Sequence, residues 1–169
     1  AINLNSGKVE SYGLELEGRW RVSESFTLTG GGTLLHARIT DGAEYTATTG
    51  LPLPSDRLLF QPDWNYYVTG SYVVPIGADD LRLDATVVGK GDRVGSSLGA
   101  AAPTLESYTL VNASITWTHN DINIALFATN LFDEKYLESY LDSSILTTAG
   151  LGGPLANNLG IQGDRRRAG

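Results

Sequence analysis

The side chains able to do chemistry are few and scattered. The two histidines stand alone: His36 falls late in a strand-like segment, His119 in a tight turn, and neither has a second ligand at metal-binding spacing. Cysteine is absent, which removes thiolate nucleophiles, Cys zinc sites and disulfides. Gly30-Gly31-Gly32 and Gly89-Lys90-Gly91 are glycine-rich, but neither opens a helix or has phosphate-loop spacing. Asn112-Ala113-Ser114 matches a glycosylation sequon inside a strand-like segment, and Asp79-Asp80 is turn chemistry. Net charge is −7 with 12 Lys+Arg, so a nucleic-acid surface is not expected. Arg165-Arg166-Arg167 is the one basic run. These residues make no catalytic constellation, so the reading is of a protein that is no enzyme and needs no cofactor.

The elements that carry these side chains are strands. From Val9 to Val22 the even positions Tyr12, Leu14, Leu16, Gly18, Trp20 and Val22 alternate with Ser11, Gly13, Glu15, Glu17, Arg19 and Arg21. That period of two gives a strand one greasy and one wet face. The pattern recurs from Phe26 to about Ile39, blurring near Leu34-Leu35 where a bulge would absorb the slip. It recurs again over Asp63–Val74, Leu81–Arg93, Ser107–Thr118 and Ile122 to about Tyr136, and a seventh strand starts near Gly160. The wet faces carry Glu15, Glu17, Arg19, Arg82, Asp84 and Asn112. Glycine is 20 of 169 residues, well above ordinary usage, as suits many strands and turns. The expected fold is all-β, an antiparallel meander of about seven long strands.

Connections alternate too. Ser23-Glu24-Ser25, Pro75–Asp80 and His119-Asn120-Asp121 read as short turns, whereas about 40–62, 94–106 and 137–160 are long. Short turns on one side and long loops on the other are the layout of an outer-membrane barrel. No run of apolar residues is long enough for a transmembrane helix. Strand length agrees with a barrel: Tyr12 to Val22 would rise roughly 36 Å, about 25 Å along the membrane normal at a ~45° tilt. Aromatics fall in two groups on the apolar faces. Trp20, Phe26, Tyr72 and Trp117 lie near short turns; Tyr12, Trp64, Tyr66 and Phe132 lie near long loops. Two such bands fit interfacial girdles flanking lipid. On this reading the polar faces line a wet lumen. Two rivals share the alternation: a passive porin-like barrel, and a soluble carbohydrate-binding β-sandwich that would bury Trp20, Tyr66 and Trp117.

Several stretches together resemble the C-terminal barrel of TonB-dependent outer-membrane receptors. Asn130-Leu131-Phe132-Asp133-Glu134-Lys135-Tyr136 is similar to that family's N-L-F-D-x-x-Y motif. Ser107 to Ile115 (SYTLVNASI) resembles its Y-x-L-V-(N/D)-A strand, and Gly7 to Glu17 its G-x-x-x-S-x-G-x-E-x-E strand. Gly50-Leu51-Pro52-Leu53-Pro54 resembles a G-x-x-L-P loop start loosely. Gly163-Asp164-Arg165-Arg166 resembles the G-x-P-R opening of the last strand, with Asp164 where Pro is commoner.

The resemblance implies that residues 1–169 are the C-terminal part of a transmembrane barrel of about 22 strands, the earlier strands and the plug domain lying upstream. It implies a bacterial outer-membrane location and active import of a scarce ligand, most often a ferric siderophore, driven by the TonB complex through the N-terminal region. Partners would be outer-membrane lipid, TonB and the small ligand. The motif residues Asn130, Leu131, Phe132, Asp133 and Tyr136 are expected to end a strand and anchor its loop, with Phe132 toward lipid and Asp133 inward. Ligand contacts are expected from loops carrying Tyr45, Arg57, Tyr108, Tyr140 and Asp142.

Overall fold

The computed structural model describes residues 7–95, 104–141 and 159–169. Strands β1 (Lys8–Arg21), β2 (Phe26–Asp41), β3 (Trp64–Ile76), β4 (Asp79–Lys90), β7 (Tyr108–His119) and β8 (Ile122–Thr129) form the body of the chain. Short strands β5 (Arg93–Val94), β6 (Thr104–Leu105), β9 (Leu137–Leu141) and β10 (Leu159–Gln162) lie among the long connections, and the short β11 (Arg167–Ala168) ends the chain. One antiparallel sheet runs β1-β2-β3-β4-β7-β8-β11, a seven-stranded meander as the alternation predicts.

The period of two sets its faces. Leu14 pairs with Leu34, Tyr72 with Phe26 and Leu83, and Ile115 with Leu126, so the apolar positions share one side of the whole sheet. That side is open: Leu16 is 66% and Trp20 65% exposed. Tyr66 and Trp117 are half-buried, and no second sheet covers them among the described residues. The soluble sandwich is therefore overturned. The buried apolar residues Ala37, Tyr45, Val94 and Leu105 all lie toward the long-loop end, leaving the strand centres with no protein core.

Sequence and structure differ in several places. The register of β1 with β2 is unbroken through Leu34-Leu35; the irregularity lies between Lys8 and Val9, whose partners skip Thr40. The phase blurs near Leu35 because β3 leaves β2 after Leu34↔Trp64, and Leu35 and Ala37 then serve the loop end. The turn after β3 is only Gly77-Ala78, with Gly77 left-handed (φ 68°) as a tight hairpin demands. His119 is the last residue of β7 and not part of the turn, whose Asn120 takes φ 49°. β8 stops at Thr129 and not near Tyr136, since Asn130 and Asp133 adopt φ 47° and 56°. The segment near Gly160 is β10, which pairs with β9; the seventh strand of the main sheet is β11.

One helix, α1 (Ala43–Thr49), was not legible in the loop after β2. Gly50 ends it in the left-handed conformation, its N–H donating to Thr46 O.

Candidate functional site

The inner face carries the polar side chains expected of a lumen wall. Register places Glu15, Glu17 and Arg19 opposite Thr33, Gly31 and Thr29. Arg82 lies between Val73 and Thr116, Asp84 between Ser71 and Ser114, and Asn112 beside Thr86. Contacts knit this wall across strands. Tyr67 O–H donates to Glu17 at 2.6 Å, its ring covering Gly31. Asp84 accepts from Ser71 and, at 3.0 Å, from Arg82 Nε, and Thr69 and Thr86 hydroxyls meet at 2.9 Å. The wall also holds Val88, Leu110 and Phe127, apolar residues that the alternation alone did not single out.

The outer face carries all of the predicted band aromatics that lie in strands. At the short-turn end Phe26 and Tyr72 rings lie 6.3 Å apart. There Trp117 stacks on His119 at 5.6 Å and donates from Nε1 to Asp79 at 3.1 Å. Trp20 stands at the same end, opposite Leu28. At the long-loop end Tyr12 stacks on His36 at 4.8 Å, and Trp64 on Tyr66 at 5.9 Å. Both histidines are thus ring partners, not ligands to one another. Among the described residues no three His, Asp or Glu side chains gather as a metal site would require.

The N-L-F-D segment forms the third part of the site. Asn130 is 3% exposed, and burial makes each of its polar groups need a partner. Its N–H donates to Asn112 Oδ1 at 2.9 Å. Its Nδ2 donates to Glu134 O and Asp164 O, both at 2.9 Å, while Oδ1 accepts from Glu134 N–H at 2.8 Å. One side chain thereby ties its own turn to the approach of β11, and its backbone ties it to β7. Leu131 N–H donates to Val111 O, adding a second tie to β7. Asp133 takes the Arg165 guanidinium (Nε at 2.9 Å) and the Arg166 N–H at 3.1 Å. That guanidinium, then the Arg166 N–H, holds the Asp133 carboxyl well below the usual carboxylate range. Phe132 is 75% exposed.

Beyond the turn, Tyr136 lies against Tyr108 (4.1 Å between rings) and over Gly163, where any Cβ would collide with its ring. Asp164, the departure from the G-x-P-R pattern, costs no contact, because Asn130 uses only its carbonyl; its carboxylate instead meets Arg167 at 2.8 Å.

The long-loop rim holds ion pairs that sequence reasoning missed. Arg38 grips Asp63 with two bonds of 2.9 and 2.8 Å, and this hydrogen bond lowers the Asp63 carboxyl below its ordinary value. Arg57 donates to the Asp92 carboxylate and carbonyl, both at 2.6 Å. Arg93, 1% exposed, donates to Leu137 O at 3.0 Å, Glu138 O at 3.1 Å and the Glu138 carboxylate at 3.3 Å. Its guanidinium sits 5.5 Å from the Tyr108 ring, and Tyr108 O–H donates to Glu138 at 3.1 Å. Partners from distant segments carry no local sequence signal, so these pairs could not be read beforehand. Among the loop residues expected to face ligand, Tyr45 is buried in α1, Arg57 and Tyr108 hold rim partners, Tyr140 lies in β9, and Asp142 lies outside the described residues.

Comparison with known proteins places this arrangement. The family model for the TonB dependent receptor-like β-barrel matches residues 1–131. The ferrichrome outer membrane transporter/phage receptor of Escherichia coli (strain K12) is 26% identical over 146 residues, which are 82% of this chain and 18% of that protein. The crystal structure of the ferric yersiniabactin uptake receptor of Yersinia pestis superimposes with a TM-score of 0.75 at 20% identity, over 97% of this chain and 23% of that one. A siderophore receptor of Acinetobacter baumannii gives 0.69 at 17% identity, over 96% of this chain and 21% of that one. The chain thus spans less than a quarter of the proteins it resembles.

Proposed function

The chain belongs to the TonB-dependent receptor β-barrel family, and on that premise we propose that it is the C-terminal barrel segment of an outer-membrane transporter that imports a ferric siderophore. The family locates it in the bacterial outer membrane, and its relatives are transporters and receptors, not enzymes. Residues 1–169 would supply the last seven strands, and a plug and earlier strands would precede them. TonB would act through that upstream region. The observation that carries the reading is the sheet itself. Long strands offer one uninterrupted apolar face outward while Glu17, Tyr67, Asp84 and Asn112 share the other.

The roles proposed for the site residues follow from their places. Tyr12, Trp20, Phe26, Trp64, Tyr66, Tyr72, Trp117 and Phe132 would meet the two lipid interfaces, where amphipathic rings settle. Glu15, Glu17, Arg19, Arg82, Asp84 and Asn112 would face water or the plug. Asn130, Leu131, Asp133 and Tyr136 would shape the rim that carries the loops. The siderophore relatives support iron as cargo, and the ferric complex would be handled as substrate, with no resident metal.

Deletion of the whole gene tests this directly. Uptake of at least one labelled ferric siderophore from a panel that includes ferrichrome should fall to background, and loss of TonB should have the same effect. Unchanged uptake across the panel would overturn the iron reading. Loss of uptake that ignores TonB would favour a passive porin.

A further inference from the structure

We infer that residues 92–94 form a clasp that binds the long connections after β2, β4 and β8 into one cooperative body. Connecting segments ordinarily run over a protein's surface, because buried backbone needs partners for its N–H and C=O groups. Residues 91–95 do the opposite: only Asp92 keeps partial exposure, and Arg93 is 1% exposed. Val94 and Leu105 of the β5–β6 pair are two of the four buried apolar residues among the described ones. The packed interior of this chain therefore lies under its loops, and β5 runs through it.

The three residues reach in different directions. Asp92 is held from the connection after β2, where Arg57 donates to its carboxylate and its carbonyl, both at 2.6 Å. Val94 joins the same seam, its carbonyl accepting the Phe60 N–H at 2.8 Å beside a Leu59↔Val94 bridge. Arg93 turns the other way, its Nη2 donating to Leu137 O, Glu138 O and the Glu138 carboxylate of β9. Arg93 and Val94 also pair with Leu105 and Thr104, which closes the connection after β4 on itself. Gly95 sits between Leu105 and Tyr140, each 3.1 Å from where its Cβ would stand. None of these partners lies in β1 or β11, the strands at the margins of the sheet.

Burial turns these ties into coupling. A surface ion pair yields singly and at little cost. A guanidinium held out of water does not, because losing its acceptors strands a buried charge. Arg93 Nη1 is already buried with no acceptor among the described residues, so the Nη2 bonds carry more of the compensation. If β5 moved to follow β9, it would give up the Arg57 and Phe60 bonds, because Asp92, Arg93 and Val94 are consecutive. Glu138 is fixed from the far side as well, by Lys90 Nζ at 3.3 Å and Tyr108 O–H at 3.1 Å. Opening the base of one connection therefore opens the others with it. The clasp needs only the fold and stands apart from the choice of cargo. In the receptor proposed above, a ligand touching one loop would act on all three.

Amide hydrogen exchange on the full-length receptor in detergent micelles, with no ligand added, tests it. In the wild type, residues 57–61, 93–94 and 137–141 should open together, with one urea dependence and protection factors within about threefold of one another. Arg93→Met keeps the aliphatic stem and removes the bonds to β9. It should lower protection about tenfold at 137–141 and also at 57–61, where Arg93 makes no hydrogen bond. Arg57→Met should act in the other direction, lowering protection at 137–141, and Arg93→Lys should have a smaller effect than Arg93→Met. Heat-modifiable migration on gels reports that each variant is folded. Loosening confined to the connection whose bonds were cut would overturn the clasp, and so would unchanged protection in folded Arg93→Met. Should no variant fold, the wild type alone decides, and separate urea dependences for the three segments would overturn it. Siderophore uptake enters none of these readouts, so the clasp and the transport reading fail separately.

Discussion

In the β1–β2 hairpin the pairs from Val9↔Ile39 to Arg21↔Thr27 follow one another without a break. Between β8 and the end of the chain, pairing stops after Thr129↔Arg167 and resumes at Leu137↔Gln162. The intervening residues are 130–136 on one side and 163–166 on the other, closed by Gly163 N–H to Tyr136 O at 2.9 Å. The two hairpins carry the chain toward the same rim by different physics. In the first, backbone bonds and the sorting of two faces by solvent hold everything, and no single side chain is indispensable. In the second the ladder is missing where the motif lies. Asn130 supplies from its amide the bonds that neighbouring backbones would have made.

That contrast can be broken from either side. The largest effect is expected from a charge on the outer face of the regular hairpin. Leu16→Arg, near the middle of β1, should cost about 2–4 kcal/mol of barrel stability, measured as urea-dependent folding of the full-length protein into vesicles. A cost near zero would mean that this face does not meet hydrocarbon. Next comes Asn130→Ala, which strands the Glu134 and Asp164 groups and should cost about 2–3 kcal/mol, read as a lowered midpoint of heat modifiability. Asn112→Ala removes only the acceptor for Asn130 N–H and should cost about 1–2 kcal/mol. A larger loss than for Asn130→Ala would reverse the ranking of the two asparagines.

A pH titration sharpens the same half. Asp133 is held below its ordinary value by Arg165 and the Arg166 N–H. Its contribution is therefore complete above the unfolded value, about 4, and fades as pH falls below it. Asp133→Asn should lower the unfolding midpoint at about pH 7, and its gap from wild type should narrow progressively as the pH falls from about 4 toward the lowered folded value. A gap that widens in acid would refute this sign. The smallest effect is expected in the regular hairpin again. Glu17→Gln loses a charge from an exposed contact with Tyr67 and should leave the folding midpoint unmoved.

The same contrast explains what could be read beforehand. The face of every residue in β1 follows from parity, so Glu17 and Trp20 needed no coordinates. That the strand aromatics share one face of the sheet was legible for the same reason. Parity fails where the chain leaves the band. Asn130 and Asp133 carry left-handed backbone that no alternation encodes, which is why β8 looked longer than it is. The motif marked the place, but its bonds to Asp164 and Arg165 cross more than thirty residues of chain. Arg38–Asp63 and Arg93–Glu138 are non-local in the same way, and neither had a motif to flag it.

The unbroken register of β1 with β2 has a consequence for how such a chain can change. On the proposed reading, adjacent residues would answer to different masters, one set to hydrocarbon and the next to the barrel interior, because register puts them on opposite faces. Substitutions at odd positions can therefore alter what the wall recognises while the even positions keep the protein in its membrane. Adding or deleting one residue inside β1 would exchange the two sets at a stroke, much as a frameshift scrambles codons. A change of length inside β1 would have to come in steps of two to leave each residue on its face.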